Sequence, residues 1–180
     1  YGITSDFTLD VTINPDFGQI EADPGVMNLT ALESFFPEKR PFFTEGSSIF
    51  RFPIVPGDGG GRNESIFYSR RIGRAPQRSA NPSGGYIDAS DRATILGAGK
   101  LSGKTENGWS VGVLNAITSS EYAQVSPRVG TPYEEAIEPL TNYGMLRIQK
   151  DFRSGRSAFG IIGTSVNRSG PVAGQLALHS

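Results

Sequence analysis

Ala93-Thr-Ile-Leu-Gly-Ala-Gly-Lys-Leu-Ser-Gly-Lys104, then Thr105-Glu-Asn-Gly108, then Trp109-Ser-Val-Gly-Val-Leu-Asn-Ala-Ile-Thr118 is the stretch that decides the fold. In its first arm Ile95, Gly97, Gly99, Leu101 and Gly103 alternate with Leu96, Ala98, Lys100, Ser102 and Lys104. In its second, Trp109, Val111, Val113, Asn115 and Ile117 alternate with Ser110, Gly112, Leu114, Ala116 and Thr118. A period of two is that of a β-strand, and Asn107-Gly108 suits the positive φ of a hairpin turn. The pattern recurs from Tyr143 to Phe152 and from Ser157 to Arg168, around Arg153-Ser-Gly-Arg156. It is present earlier too, where Phe7, Leu9, Val11 and Ile13 alternate with Asp6, Thr8, Asp10 and Thr12. The strands after residue 92 are 10 to 12 residues long, against about 5 to 6 in ordinary soluble sheets.

One face of these strands is apolar or Gly, carrying Ile95, Leu101, Leu146, Ile148 and Phe152. The other carries Lys100, Lys104, Arg147, Gln149 and Asp151, which suits a wet lumen. Trp109 and Tyr143 stand at strand ends, at the depth where aromatic belts form. Tight turns alternate with a long link from Ser119 to Asn142, interrupted by Pro127, Pro132 and Pro139. Short turns at one end and long loops at the other are the asymmetry of outer-membrane barrels. A soluble two-sheet protein alternates in the same way, so the period leaves both architectures open. In the last strand the pattern does not say which face is which.

The longest uncharged stretch, Asn107 to Ser120, has 14 residues. That is too short for a membrane helix, which needs roughly 18 to 20, but ample for a membrane strand of about 9 to 11. The 180 residues hold no Cys and a single His, at position 179. Disulfides, thiolate metal sites and cysteine nucleophiles are thereby excluded from this stretch, and His-based triads nearly so. Lys plus Arg number 17 against 18 Asp plus Glu, a net charge of −1. No basic excess marks a nucleic-acid binder. No leader pattern follows Tyr1 and the strand pattern runs to the end, so the reading expects an excerpt of a longer chain.

Residues 1–92 are read as the first strand followed by an irregular, plug-like segment, and 93–180 as hairpins of a wall, both within one incomplete domain. Residues 1–38 contain seven acids and no base, whereas 39–108 contain 11 bases against 6 acids. Most of the cations are Arg, suited to fixed ion pairs, so either internal pairing or solvated surface charge follows. Val26 to Phe36 has the spacing of a short helix, and Ile66-Phe-Tyr68 that of a short strand. Val55 to Asn63, VPGDGGGRN, reads as a flexible loop without the Gly-Lys-Ser/Thr of a P-loop. Two prolines bracketing three charges between aromatic pairs keep Phe35 to Phe43 from being regular.

Gly108-Trp-Ser-Val-Gly112 matches G-x-S-x-G, but Ser110 sits on the second arm of a hairpin rather than on a strand-to-helix elbow. Asp16, Glu21 and Asp23 could offer oxygens to Ca²⁺, yet they match no EF-hand spacing. Glu38 and Glu45 are a tempting carboxylate pair for glycoside hydrolysis, but Lys39 and Arg40 beside them favour structural ion pairs. No catalytic, metal or cofactor residue is therefore assigned. The candidate structural and lumen ion-pair residues are Asp16, Glu21, Glu38, Lys39, Arg40, Glu45, Arg70 and Arg71.

Asn14-Pro-Asp-Phe-Gly-Gln-Ile-Glu-Ala-Asp-Pro24, Phe36-Pro-Glu-Lys-Arg-Pro-Phe-Phe-Thr-Glu-Gly46 and Ile66-Phe-Tyr-Ser-Arg-Arg-Ile-Gly-Arg74 carry a resemblance, extended by Gly97 to Lys104 and Trp109 to Val113. Over essentially its whole length the chain resembles large bacterial outer-membrane proteins whose N-terminal part looks like a family-9 carbohydrate-binding module. Their C-terminal part is a domain of unknown function, of the 5916 type. The resemblance implies an all-β fold: a fragment of an antiparallel, outer-membrane type β-barrel with long hairpins and an irregular Pro/Phe-rich inserted segment. It implies location in the bacterial outer membrane, lipid as a partner and oligosaccharide as a solute class, without cofactor or nucleic acid. A glycan-active hydrolase with its catalytic residues mostly outside this stretch, and a soluble all-β structural or adhesion module, are the competing expectations. The segment from Phe36 to Phe43 is expected to fold inward or to cap the periplasmic mouth.

Overall fold

A computed structural model describes Gly2 and residues 6–15, 37–50, 66–153 and 156–172. The chain is all-β with antiparallel sheets and little helix. Its main sheet has five strands: β1 (Phe7–Ile13), β3 (Ile95–Lys104), β4 (Trp109–Thr118), β7 (Leu140–Phe152) and β8 (Ser157–Ser169), side by side in that order. Every neighbouring pair is antiparallel. A second sheet, in the order β2 (Tyr86–Asp88), β5 (Glu121–Ser126), β6 (Tyr133–Glu138), is built from the link between β4 and β7 with a short strand from upstream. The described residues form an open sheet, not a closed barrel. Among them no helix is long and apolar enough to cross a membrane.

The β3–β4 turn closes as its sequence requires. Thr105 N–H donates to Trp109 O at 2.8 Å, Gly108 N–H donates to Thr105 O at 2.9 Å, and Gly108 takes φ +80°. Only the glycine of the Asn-Gly pair needs the left-handed region. This turn and the Arg153–Arg156 turn lie at one end of the sheet. The small sheet and the long connection from β1 to β3 leave from the other end.

Several local expectations are corrected. The link Ser119 to Asn142 is largely β5 and β6: Pro127 follows β5, Pro132 precedes β6 and Pro139 separates β6 from β7, so each proline interrupts pairing only where a strand ends. Ile66-Phe-Tyr68 is not a strand and runs into a 3₁₀ turn at Ser69–Arg71. The Pro/Phe-rich segment is not wholly irregular. Pro41 starts a single turn, α1 (Pro41–Thr44), because its fixed φ and missing N–H suit a first helical position. Ser47–Phe50 makes a second turn, α2. Ile95 leaves the apolar face because the register slips between Ile95 and Gly97, placing Ile95 opposite Thr118 and in the core. Tyr143 is no belt residue; it is buried in the same core, four positions into β7. The helix expected over Val26 to Phe36 and the loop over Val55 to Asn63 fall outside the described residues.

The two faces of the main sheet differ in what covers them. Ala98, Leu114, Ala116, Tyr143 and Met145 lie on one face under Phe43, Phe50 and Ile72, with Phe42, Ile49, Phe67 and Ile162 at the margin. The opposite face presents Leu9, Val11, Ile13, Val113, Ile117, Leu146, Ile148, Phe159 and Ile161, all exposed. The register ties these residues into rows. Val11, Gly99, Asn115, Gly144 and Ser165 form one row, and Phe7, Gly103, Val111, Ile148 and Ile161 another. On β1 the exposed apolar run centres on Val11; on β8 the run Phe159, Ile161, Gly163, flanked by Ser157 and Ser165, centres on Ile161. Between those two centres the apolar band shifts by about four residues over four strand steps, so it slants across the sheet by about one residue per strand.

Candidate functional site

The covered face sets charge within its apolar core. Lys100 is 1% exposed, the largest fully buried side chain. It stands directly opposite Asp10 on β1, and its Nζ lies 3.1 Å from Asp10 Oδ2. The same amine donates to Phe42 O and to Glu45 O, each at 2.7 Å, and sits 5.0 Å from the centre of the Phe42 ring. Three acceptors thus satisfy three donors, and they tie the α1 turn to the sheet. A second cation works the same way: Arg147 on β7 donates to Ile49 O in α2 and to Gln149 Oε1. Gln149 in turn donates to Asp151 at 2.8 Å, and Lys104 to Asp151 at 2.7 Å. Between these anchors, Gly112 leaves the space that α2 fills. A Cβ there would stand 3.0 Å from Ile49 Cγ2 and from Phe50 Cε1.

The segment leading into α1 is held by Arg40, buried at 7% exposure. Its guanidinium donates to Glu38 Oε1 at 2.8 Å and Oε2 at 2.7 Å, to Ile72 O at 2.7 Å and to Ser69 O at 2.9 Å, and it lies 4.3 Å from the Phe43 ring centre. Ser69 Oγ donates to Glu38 Oε2 at 2.5 Å. Burial pushes the Glu38 carboxyl up, but the hydrogen bonds and charge of Arg40, with Ser69, outweigh it and hold the group below the usual carboxylate range. Arg70 donates to Pro37 O at 2.6 Å.

Of the residues singled out from the sequence, Glu38, Arg40 and Arg70 meet in this one knot, with Arg71 on the same turn but exposed. Lys39 is exposed, and Glu45 is exposed as a side chain while its carbonyl takes the Lys100 proton. Asp16 and Glu21 lie outside the described residues, as does Asp23. Asp10–Lys100 and Glu38–Arg40 both pair an acid of the opening segment with a base of the stretch that follows. Lys100, Arg147 and Asp10 were visible as the charged alternate of each strand, but their partners are backbone carbonyls, which no residue pattern announces. Ser110 of G-x-S-x-G is buried on the strand β4, with no strand-to-helix turn around it. Among the described residues no three His, Cys, Asp or Glu side chains group to hold a metal.

The exposed face is the reverse. At the tight-turn end Trp109 and Phe159 flank Lys150, whose amine lies 5.2 Å from the indole centre and donates to Asn107 O, with exposed Phe152 alongside. Farther along, Gly97 and Gly99 floor a shallow groove of about 340 Å³ between Val11, Ile13 and Ile117.

No curated protein and no solved structure matches this chain. One family model does, over residues 1–174, nearly the whole length. That span takes in all five strands of the main sheet, the small sheet and the segment docked on the covered face, so the chain belongs to the family described as Domain of unknown function (DUF5916).

Proposed function

We propose that this chain is part of the wall of a β-barrel in the bacterial outer membrane, with the docked segment folded into its lumen, and that it binds or passes a small polar solute. The observation that carries this is an apolar face left open, opposite a covered face with cations set into its core. Lys100 is 1% exposed while Val11 is 65%, Phe159 66% and Ile13 82% exposed. A soluble sheet with one covered face turns polar residues to water on the other; here the open face carries Val, Ile and Phe, and Lys100 is set into the core of the covered one.

Three further features support the reading. Strands of 10 and 13 residues are long enough to span. Trp109, Phe152 and Phe159 gather at one end of the apolar face, as in an interfacial girdle. The slant gives an angle. One residue of about 3.3 Å rise per strand spacing of about 4.8 Å is a slope of about 35°, and membrane-barrel strands tilt by about 35–45°. The tight-turn end is assigned to the periplasm and the end bearing the small sheet to the cell exterior. Oligosaccharide is the solute class favoured by the resemblance to proteins carrying a carbohydrate-binding module.

The 180 residues lack Cys, so single cysteines can be placed on the full-length protein and labelled with an environment-sensitive dye. In vesicles containing spin-labelled lipid, dyes at Val113 and Ile148 are quenched and a dye at Ser102 is not. Equal quenching on both faces, or a full-length protein that is folded and monodisperse without detergent, overturns the membrane placement and leaves a soluble all-β module.

A further inference from the structure

Near the long-loop end of the covered face, three hydrogen-bond donors stand without acceptors. Arg168 pairs with Thr141, two residues before Tyr143, and shares the face of Ile162, which packs on the core. Arg74 follows Ile72 and Gly73; Ile72 packs in the same core as Tyr143, and Ala93 N–H donates to Arg74 O at 2.9 Å, so the 72–74 turn lies over the start of β3. The charges of Arg74, Glu138, Arg168 and Arg71 all bear on Tyr143. The Nε atoms of Arg74 and Arg168 are shut off from solvent and have no hydrogen-bond partner. Neither guanidinium makes an ion pair among the described residues, and the Tyr143 hydroxyl makes no hydrogen bond there. Among the described residues the carboxylate whose charge reaches Tyr143, Glu138, is buried and already accepts from Gln77 N at 2.8 Å and Gln77 Nε2 at 3.1 Å.

Buried guanidinium donors normally find an acceptor. Here two Arg side chains with such donors lie around a phenol, and neither has an ion-pair partner among the described residues. We infer that Arg74, Arg168 and Tyr143 form a binding site for an oxyanion, a phosphate or carboxylate group borne by a small solute, on the covered face of the sheet. Arg supplies the planar fork that such groups take in pairs of hydrogen bonds, and Tyr143 adds a neutral donor. Glu138 limits the site to one compact anion. The site belongs to the covered face itself and goes beyond the membrane reading; if that reading fails, the assay runs in plain buffer, so the two can fail separately.

The test uses the full-length protein with inorganic phosphate and with galacturonate, read by ³¹P line broadening and by titration calorimetry. Saturable binding of at least one probe is expected, weakened about tenfold or more in Arg168→Gln and in Arg74→Gln, severalfold in Tyr143→Phe, and not in Arg156→Gln at the opposite end. Phosphate binding alone points to a phosphorylated solute, and galacturonate binding alone to an acidic sugar; both support the site. A second measurement needs no variant. On the wild-type protein, cyclohexanedione modification of Arg74 and Arg168, mapped by peptide mass, is slowed by the bound probe and not by chloride at equal ionic strength. Absence of saturable binding by either probe, binding unchanged in both Arg variants, or modification slowed equally by chloride overturns the inference.

Discussion

Replacing Lys100 with Met is the sharpest test of how the docked segment is held. The side chain keeps its length and loses its charge, so packing over Phe42 is disturbed little. What is lost is an amine bonded to Phe42 O and Glu45 O at 2.7 Å and to Asp10 at 3.1 Å. Hydrogen bonds from a charged donor contribute about 1.5–3 kcal/mol each, and stripping one partner from a buried ion pair costs about 3–5 kcal/mol. Asp10 retains 24% side-chain exposure and so recovers part of its hydration, while Lys100 has 1%. The lower end of the range follows, about 3 kcal/mol. That is a shift of more than a hundredfold in the equilibrium between docked and undocked segment, at about 1.4 kcal/mol per factor of ten.

Two assays read this. Urea unfolding of the folded full-length protein should move to a lower midpoint with its slope unchanged. Trypsin should cut after Lys39 far faster, since Arg40 on the other side of that bond is buried only while the segment is docked. Asp10→Asn combined with Lys100→Met should restore about 1–2 kcal/mol, because the two carbonyls stay unpaired in the double variant. Lys104→Met is the control: its amine also bonds a carboxylate, Asp151, but is 58% exposed, and the protein should behave much like wild type. A Lys100→Met protein within about 1 kcal/mol of wild type, with unaltered cleavage, refutes the claim that Lys100 fastens α1 to the sheet.

Gly112→Ala should destabilise by about 1–3 kcal/mol through overpacking, since the new methyl meets Ile49 and Phe50 at 3.0 Å; urea midpoints check it. Glu38 titrates below the usual carboxylate range, so its contribution is complete above that range and is lost as pH falls through the depressed value. Hydrogen exchange in the 37–50 segment, corrected for its intrinsic pH dependence, should therefore rise steeply only below about pH 4, and Glu38→Gln should flatten that dependence while raising exchange at neutral pH. Val11→Arg should cost about 2–4 kcal/mol in a bilayer and Ser165→Arg about 0–1, although both lie in one hydrogen-bonded row; unfolding in vesicles measures both.

The hairpins were legible because their rule is local. Each of Lys100, Arg147, Leu146 and Ile148 takes its face from parity alone, and Gly108 announces its turn. Ile95 was misplaced because a one-residue slip reverses parity without a mark in the sequence. β5 and β6 were hidden by prolines that prove to stand at their ends. Tyr143 was assigned to a belt because aromatic residues near strand ends fit one; its burial comes from Ile72, seventy-one positions earlier in the chain. The Arg40 knot was half visible, as acids and bases crowded into Phe36 to Gly46, but its acceptors Ser69 O and Ile72 O are backbone atoms brought in by the fold. That Arg74 and Arg168 both act on Tyr143 depends on a core contact across the chain and could not be read from either segment.

The slant of the apolar band separates two explanations that exposure alone does not. A second protein layer over this face hides a patch of its own outline, crossing the strands at its own packing angle of about 30°. Such a layer does not require the boundary between apolar and polar residues, Val11 against Ser165 in one row, to step evenly across all five strands. A flat slab of lipid crossed by tilted strands does require it, because each successive strand meets the slab's midplane at a different residue. The direction of the drift is constrained as well. On β8 the face turns polar at Ser165, in the row of Val11, while on β1 it is still apolar at Ile13, one row beyond Val11. A charge scan of the exposed face therefore distinguishes the two. Penalties that run unbroken along the diagonal from Val11 to Ile161 over all five strands, and only in lipid, belong to a membrane; penalties confined to a patch and present without lipid belong to a packed layer.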